Sequence, residues 1–345
     1  QDLDLIQAKI GPHPNATAHS FNALDSQQRL PYIAQADLVI SMLPAVYHVE
    51  VAKDCIALKK HLITPSYISA EMRALHEDAK AAGIVIMNEI GVDPGIDHMS
   101  AMRILDHIKD IGGKLESFKS YCGGLIAPSS DNNPWRYKFT WNLRNVVLAG
   151  QGSAACYREM NELKYLPYHR LFQRLDKIQI EGYGEFEGYV NRDSLNYLET
   201  YHIQDIPTIF RGTLRRPPYC EDWDVFVQLG MTDDAYLMNG SAQLTPRQFL
   251  NAFLPFETGV SVEDKFLKLV GHRKDLFELF DFLGLFSDQE VFGIEKASPA
   301  MLLQKILVEK WRLAPGDKDM IVMYHEIIYA KDNARFAINS SLVVE

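Results

Sequence analysis

Apolar and polar positions follow two rhythms over the first hundred residues. Asp37-Leu38-Val39-Ile40-Ser41-Met42-Leu43 is a short apolar run stopped by Pro44, the pattern of a buried strand. From Val46 to Lys60 the apolar positions Val49, Ala52 and Ile56, with the thiol of Cys55, recur at helical spacing. His61-Leu62-Ile63-Thr64 is a second short strand, ended by Pro65-Ser66-Tyr67. Ser69 then caps a helix that opens with Glu71 and Met72, runs to Ala82 and ends at Gly83. Ile84-Val85-Ile86-Met87 is a third strand, and Met99 to Lys109 a further amphipathic helix. This β-α-β-α-β order predicts a parallel, doubly wound sheet. Gln1 to Lys9 reads as a helix that joins such a unit midway. No Gly-x-Gly-x-x-Gly turn accompanies it, so the first βα unit of a dinucleotide-binding fold is expected to be missing from the sequence.

The texture changes at Gly112. Lys114 to Cys122 reads as a strand, and the Pro-, Ser- and Asn-rich residues 126–145 hold the aromatic run Pro134 to Trp141. Lys177 to Ile180 and Thr208 to Leu214 are further strands, with Glu187 to Ser194 a polar loop between them. Asp224 to Leu313 is helical in pattern, and Met320–Ala330 and Arg335–Val344 form a hairpin around Lys331-Asp332-Asn333. The predicted class is therefore α/β. A Rossmann-like parallel sheet occupies 1–96, a mixed-sheet α/β substrate domain 97–223 and 314–345, and a helical insertion 224–313.

Composition narrows the function classes. The 345 residues are 47% hydrophobic and 23% charged, as in an ordinary globular protein, and long enough for two domains. A net charge of −10 without a basic stripe argues against a nucleic-acid partner. No apolar run is long enough to span a bilayer, and the opening Gln1-Asp2-Leu3-Asp4 lacks the basic start of a signal peptide. Cys55, Cys122, Cys156 and Cys220 are scattered, which suits a reducing cytoplasm, and with no Cys-x-x-Cys or His-x-x-x-His pair no metal is expected.

The chemistry concentrates at a corner, Asn88-Glu89-Ile90-Gly91-Val92-Asp93-Pro94-Gly95-Ile96-Asp97-His98, between the third strand and the following helix. Glycines there let backbone turn and ligand approach, and ligands of open α/β sheets bind at such carboxyl ends. A second run of small residues, Tyr121-Cys122-Gly123-Gly124-Leu125, follows another strand end, and the two suggest one cleft. Asp93 could hold an amine or pass a proton, or it could cap the helix near Gly95; the residues alone leave both open.

Eight motifs occur in order: Ser41-Met42-Leu43-Pro44, Thr64-Pro65-Ser66-Tyr67, the Asn88–His98 run, Tyr121-Cys122-Gly123-Gly124-Leu125, Tyr137-Lys138-Phe139-Thr140-Trp141, Asn191-Arg192-Asp193-Ser194, Arg211-Gly212-Thr213-Leu214-Arg215 and Leu313-Ala314-Pro315-Gly316-Asp317. Together they resemble the glutamate-forming saccharopine dehydrogenase family over roughly residues 36 to 340. The resemblance implies a Rossmann domain, a mixed α/β domain and a small helical domain. It also implies interconversion of saccharopine with glutamate plus 2-aminoadipate 6-semialdehyde. NAD or NADP would be the cofactor, the choice between them being left open, as is a homodimer. A carboxynorspermidine-type dehydrogenase and a non-catalytic binding homologue are the alternatives.

Saccharopine carries three carboxylates and two amines, so its site needs cations and acids. Arginine matches two carboxylate oxygens at once. Arg192 and Arg215 are the candidate clamps, and the resemblance adds Gly212, Thr213 and Leu214, with Ser66 and Tyr67, as substrate contacts. It also favours Asp93 as a substrate and catalytic group; Cys122 is expected to line the site, with at most weak acid–base work. Leu43 and Pro44 are expected against the dinucleotide, Val92, Pro94, Gly95, Ile96, Asp97 and His98 near its nicotinamide end, and Trp141 over that end.

Overall fold

Three short strands organise the first unit of the chain, Gln1–Arg103: β1 (Leu38–Ile40), β2 (His61–Ile63) and β3 (Ile86–Met87). The computed structural model describes residues 3–149, 151–152 and 154–345. The strands pair in parallel in the order β1-β2-β3, with Leu38 opposite His61 and Leu62 opposite Ile86, as the pattern predicts. Helix α1 (Leu3–Ile10) covers most of the expected opening helix, of which residues 1 and 2 lie outside the described residues. Helix α2 (Ser26–Gln35) is capped by Asp25, whose side chain accepts from the Gln27 N–H. Helix α3 (His48–Leu58) ends at Lys59 in the left-handed conformation. The helix expected over 69–82 is two, α4 (Ala70–Ala74) and α5 (His76–Ala82), which meet at Leu75. Ser69 caps the first and Gly83, at φ 72°, ends the second, both as the sequence indicates.

The sheet of this unit is one-sided. Val39, Leu62 and Ile86 point to the face that packs on Ile33, Val51, Ala52, Cys55 and Met72. The alternate residues point the other way, and Leu38, Ile40, Val85 and Met87 are 45–63% exposed. The expectation of a buried strand over 37–43 is corrected in its extent: β1 is three residues long, and of those three only Val39 packs on the core.

Helix α6 (Ile96–Asp110) leads to the second unit, Ile104–Glu345. Its sheet has eight strands among the described residues: β4 (Lys114–Ile126), β5 (Ala155–Glu159), β6 (Glu162–Leu166), β7 (Asp176–Ile180), β8 (Gly184–Val190), β9 (Thr208–Arg215), β10 (Asp319–Lys331) and β11 (Ala334–Val344). The order is β11-β10-β4-β9-β5-β6, with β8 also beside β9 and β7 beyond it. Only β4 and β9 run parallel among these pairings, so the sheet is mixed, and the terminal hairpin joins it. Short helices α7 (Leu143–Val147) and α8 (Tyr197–Thr200) precede β9, and between β9 and β10 come α9 (Tyr219–Leu229), α10 (Pro246–Asn251), α11 (Val262–Leu269), α12 (Lys274–Phe282) and α13 (Pro299–Lys310). Their aromatic side chains, Trp223, Phe226, Phe249, Phe266 and Phe280, join Trp135 and Trp311 in one buried core with Tyr121, Phe210 and Leu214 of the sheet.

Three local expectations change. Cys122-Gly123-Gly124 is not a strand end: β4 continues to Ile126, and the glycines sit inside it because neighbours press close. A Cβ on Gly123 would lie 2.7 Å from the Leu214 carbonyl oxygen. Glu187 to Val190 belongs to β8, so the polar loop begins at Asn191. The β5–β6 hairpin has no counterpart in the sequence reading. No helix among the described residues is long and apolar enough to cross a membrane.

Candidate active site

In the first unit the carboxyl ends of the strands gather polar side chains. Ser41 follows β1, and its N–H donates to Ile63 O at 2.9 Å. Its hydroxyl lies 2.9 Å from Nδ1 of His48, at the start of α3, and Nε2 of the same ring lies 2.9 Å from the Ser66 hydroxyl. Ser66 is held by its backbone too: its N–H donates to the Thr64 hydroxyl at 3.3 Å and its carbonyl accepts from Glu89 N–H at 3.1 Å. His48 is 2% exposed, and burial holds its pKa below the usual histidine range. The neighbouring Tyr67 hydroxyl donates to Asp93 Oδ1 at 2.8 Å.

The glycine corner is built by close backbone contact. Gly91 N–H donates to Pro94 O at 2.9 Å, Ile96 N–H to Gly91 O and Asp97 N–H to Val92 O, both at 3.0 Å. A Cβ on Gly95 would lie 2.2 Å from Gly91 O, so no other residue fits there. Asp97, 1% exposed, accepts the Gly95 N–H through Oδ1 at 2.6 Å. Asp97, inside the first turn of α6, thus ties the corner back to the helix start. His98 Nε2 lies 2.9 Å from Glu89 Oε2, and its Nδ1 3.7 Å from Asp97 Oδ2. Leu43 is half-buried and packs on the core of its unit, whereas Pro44 is exposed.

In the second unit Cys122 of β4 stands opposite Thr213 of β9, and Gly212 opposite Val190 of β8. Cys122 is 8% exposed. Arg192 leaves β8 in the left-handed conformation, φ 52°, and is exposed. Its loop is anchored from both sides. The Arg192 carbonyl accepts from Cys156 N–H at 3.0 Å, and the Cys156 thiol donates to Asp193 Oδ1 at 2.9 Å. Asn191 N–H donates to Arg211 O at 2.7 Å, and Arg211 N–H to the Ser194 hydroxyl at 2.9 Å. Burial, reinforced by Asp193, pushes the Cys156 thiol up to about 12, so it stays a proton donor. Trp141 is 49% exposed, and its ring would come within 3.3 Å of a Cβ on Gly124.

Arg215, the other candidate clamp, is enclosed by aromatic rings. It is 2% exposed, its guanidinium lies 5.1, 5.8 and 5.4 Å from the ring centres of Tyr137, Tyr189 and Tyr219, and Nη1 donates to Leu214 O. Such a caged cation stabilises the core around it. Two motifs prove to be partners in packing: Lys138 Nζ reaches Asp317 Oδ2 at 2.5 Å, and that carboxylate also accepts the Ala314 N–H. Ser41, His48, Glu89 and Cys156 were missed. A lone histidine seven residues after a serine carries no periodic signal, because its two partners, Ser41 and Ser66, come from separate segments. No group of three or more His, Cys, Asp or Glu side chains placed to hold a metal occurs among the described residues.

Comparison with known proteins agrees with this architecture. Residues 2–87 match the model of the saccharopine dehydrogenase NADP binding domain, and residues 91–345 that of the saccharopine dehydrogenase C-terminal domain. The chain is 33% identical to the NADP(+), L-glutamate-forming saccharopine dehydrogenase of Pyricularia oryzae, over 93% of this chain and 71% of that one. It is 36% identical to the alpha-aminoadipic semialdehyde synthase of Arabidopsis thaliana over 88% of this chain, but spans only 30% of that protein's length. The apo L-Glu-forming saccharopine dehydrogenase of Saccharomyces cerevisiae superposes with a TM-score of 0.87 at 32% identity, covering 99% of this chain and 78% of that one. Two adjoining domain matches and a shared fold over nearly the whole chain mean that this protein belongs to the saccharopine dehydrogenase family, among its glutamate-forming members.

Proposed function

We propose that the protein oxidises saccharopine with NADP to glutamate and 2-aminoadipate 6-semialdehyde, and catalyses the reverse reduction. The observation that carries this reading is the anchored Arg192 loop. A chain that fixes Asn191 to Ser194 from two strands presents an exposed guanidinium in a set place, as bidentate capture of a carboxylate requires. Thr213 supports the same end of the substrate from β9. In the first unit Ser66 offers a hydroxyl to a second carboxylate, while the Tyr67 hydroxyl is spent on Asp93. Asp93, oriented by Tyr67, accepts the proton of the secondary amine as the C–N bond becomes an imine, and water then splits the imine. When bound, the nicotinamide takes the hydride from the carbon beside that nitrogen. Met42 and Val46, 74% and 76% exposed around Pro44 at the end of β1, offer apolar surface suited to flat nucleotide rings. The NADP preference is supported by the match of residues 2–87 and by the names of the relatives.

The test is a spectrophotometric assay of the full-length protein with saccharopine and each nucleotide. NADPH should form in a saccharopine-dependent way, with a higher kcat/KM for NADP than for NAD. No nucleotide reduction with either would refute the activity; a preference for NAD would refute the cofactor assignment.

A further inference from the structure

We propose that His48 is a positioning residue that fixes Ser66 as a hydrogen-bond donor toward a substrate carboxylate; this rests on the reading of the protein as a saccharopine dehydrogenase. The argument begins with proton counting. A neutral imidazole has one donor nitrogen and one acceptor nitrogen. The Ser41–His48–Ser66 chain, with 2.9 Å at both links, can therefore be wired in only two ways.

In the first, Ser41 O–H donates to Nδ1 and Nε2–H donates to Ser66 Oγ. The Ser66 proton is then free to point outward. In the second, Ser66 O–H donates to Nε2 and Nδ1–H donates to Ser41 Oγ. Ser66 then offers only lone pairs outward, and Ser41 must place its own proton elsewhere. Burial decides between them. Ser41 is 4% exposed, and among the described residues its side-chain oxygen has His48 as its one hydrogen-bond partner. The second wiring buries an unsatisfied hydroxyl proton. The first spends the outward proton at Ser66, which is only half-buried and can reach water or a ligand. A buried unsatisfied donor disfavours the second wiring by roughly tenfold or more. Burial also keeps the ring neutral, which the wiring needs.

The consequence is a choice of ligand group. An outward hydroxyl proton can bind a carboxylate oxygen, whereas the opposite wiring leaves Ser66 only lone pairs, which repel a carboxylate. Ser66 is held by both backbone polar groups, so the direction of its proton is the remaining variable, and His48 sets it.

The tautomer is measured directly by 15N–1H correlation NMR on the full-length protein labelled at histidine, with His48→Gln assigning the ring. The proposal expects a neutral ring protonated at Nε2. A ring protonated at Nδ1, or a doubly protonated ring at pH 7.5, overturns it. Kinetics supply the second arm. His48→Gln should raise the KM for saccharopine roughly tenfold, with kcat and the KM for NADP changed less than about threefold. In a Ser66→Ala background the same substitution should add almost nothing. Equal losses in both backgrounds, or a matching loss of NADP affinity, overturn the positioning role. Ser41→Ala, which leaves the ring in place, should release the tautomer and raise the saccharopine KM severalfold; an unchanged tautomer in this variant also counts against the wiring. If the wild-type protein turns over no saccharopine, the proposed function fails, and the tautomer alone then decides the relay.

Discussion

Replacing Gly212 with alanine tests whether the mixed sheet is held by one pinned ring. The added Cβ would lie 2.5 Å from Tyr121 Cδ1, 2.8 Å from Cε1 and 2.9 Å from the Tyr189 carbonyl oxygen. The ring cannot swing aside freely. Tyr121 is 2% exposed, its hydroxyl donates to Asp176 Oδ2, and Phe210 lies 5.4 Å away, centre to centre. Overpacking in a closed core costs about 1–3 kcal/mol, and the pinned hydroxyl places this site in the upper half of that range. With a urea m-value of ~3 kcal/mol/M, a loss of about 2–3 kcal/mol moves the unfolding midpoint down by about 0.7–1 M. All four tryptophans, Trp135, Trp141, Trp223 and Trp311, lie in the second unit, so their fluorescence reports this unit alone. Tyr121→Val, which removes the ring, supplies the second half of a double-mutant cycle. It should be destabilising by itself through the cavity it leaves, yet it should recover about 1–2 kcal/mol in the presence of Gly212→Ala. A Gly212→Ala midpoint equal to wild type, or strict additivity in the cycle, would refute the account of the glycine as room for Tyr121.

Two further predictions concern the clamp and the helical insertion. Arg192→Ala should weaken saccharopine binding roughly ten- to a hundredfold, the value of about 1.5–3 kcal/mol for a charged hydrogen bond, with lysine restoring it only in part; unchanged saccharopine affinity in steady-state kinetics would remove Arg192 from the site. Asp222, 2% exposed with Arg273 Nη2 at 3.6 Å, has its pKa pushed up by burial from 3.8 to about 7. Its folded-state pKa lies above the unfolded one, so its contribution to stability is present at low pH and is lost as pH rises from about 4 to about 7. Asp222→Asn should remove that loss, and the stability gap between variant and wild type, followed by tryptophan fluorescence, should widen in the variant's favour across this window; a gap independent of pH would contradict it.

The sequence by itself determined the local elements and their order. Alternating apolar runs and helical spacings carry the signals for β1 to β3 and α3 to α6, because those patterns arise from which side of one element is buried. Ser69 and Gly83 marked helix ends because a cap acts on its own backbone. The glycine corner was legible for the same reason, since Gly91 and Gly95 meet within five residues. Only the tertiary structure decided what depends on distant neighbours. Gly123, Gly124 and Gly212 are places where Leu214, Trp141 and Tyr121 press against a strand, and no local pattern marks them as such. The tyrosines around Arg215 come from three separate segments, and alternate residues of β1 are exposed because only one face of its sheet is covered. His48 had no sequence signal at all, because a hydroxyl–imidazole–hydroxyl chain exists only once Ser41, His48 and Ser66 are brought together by parallel strands and the helix between them.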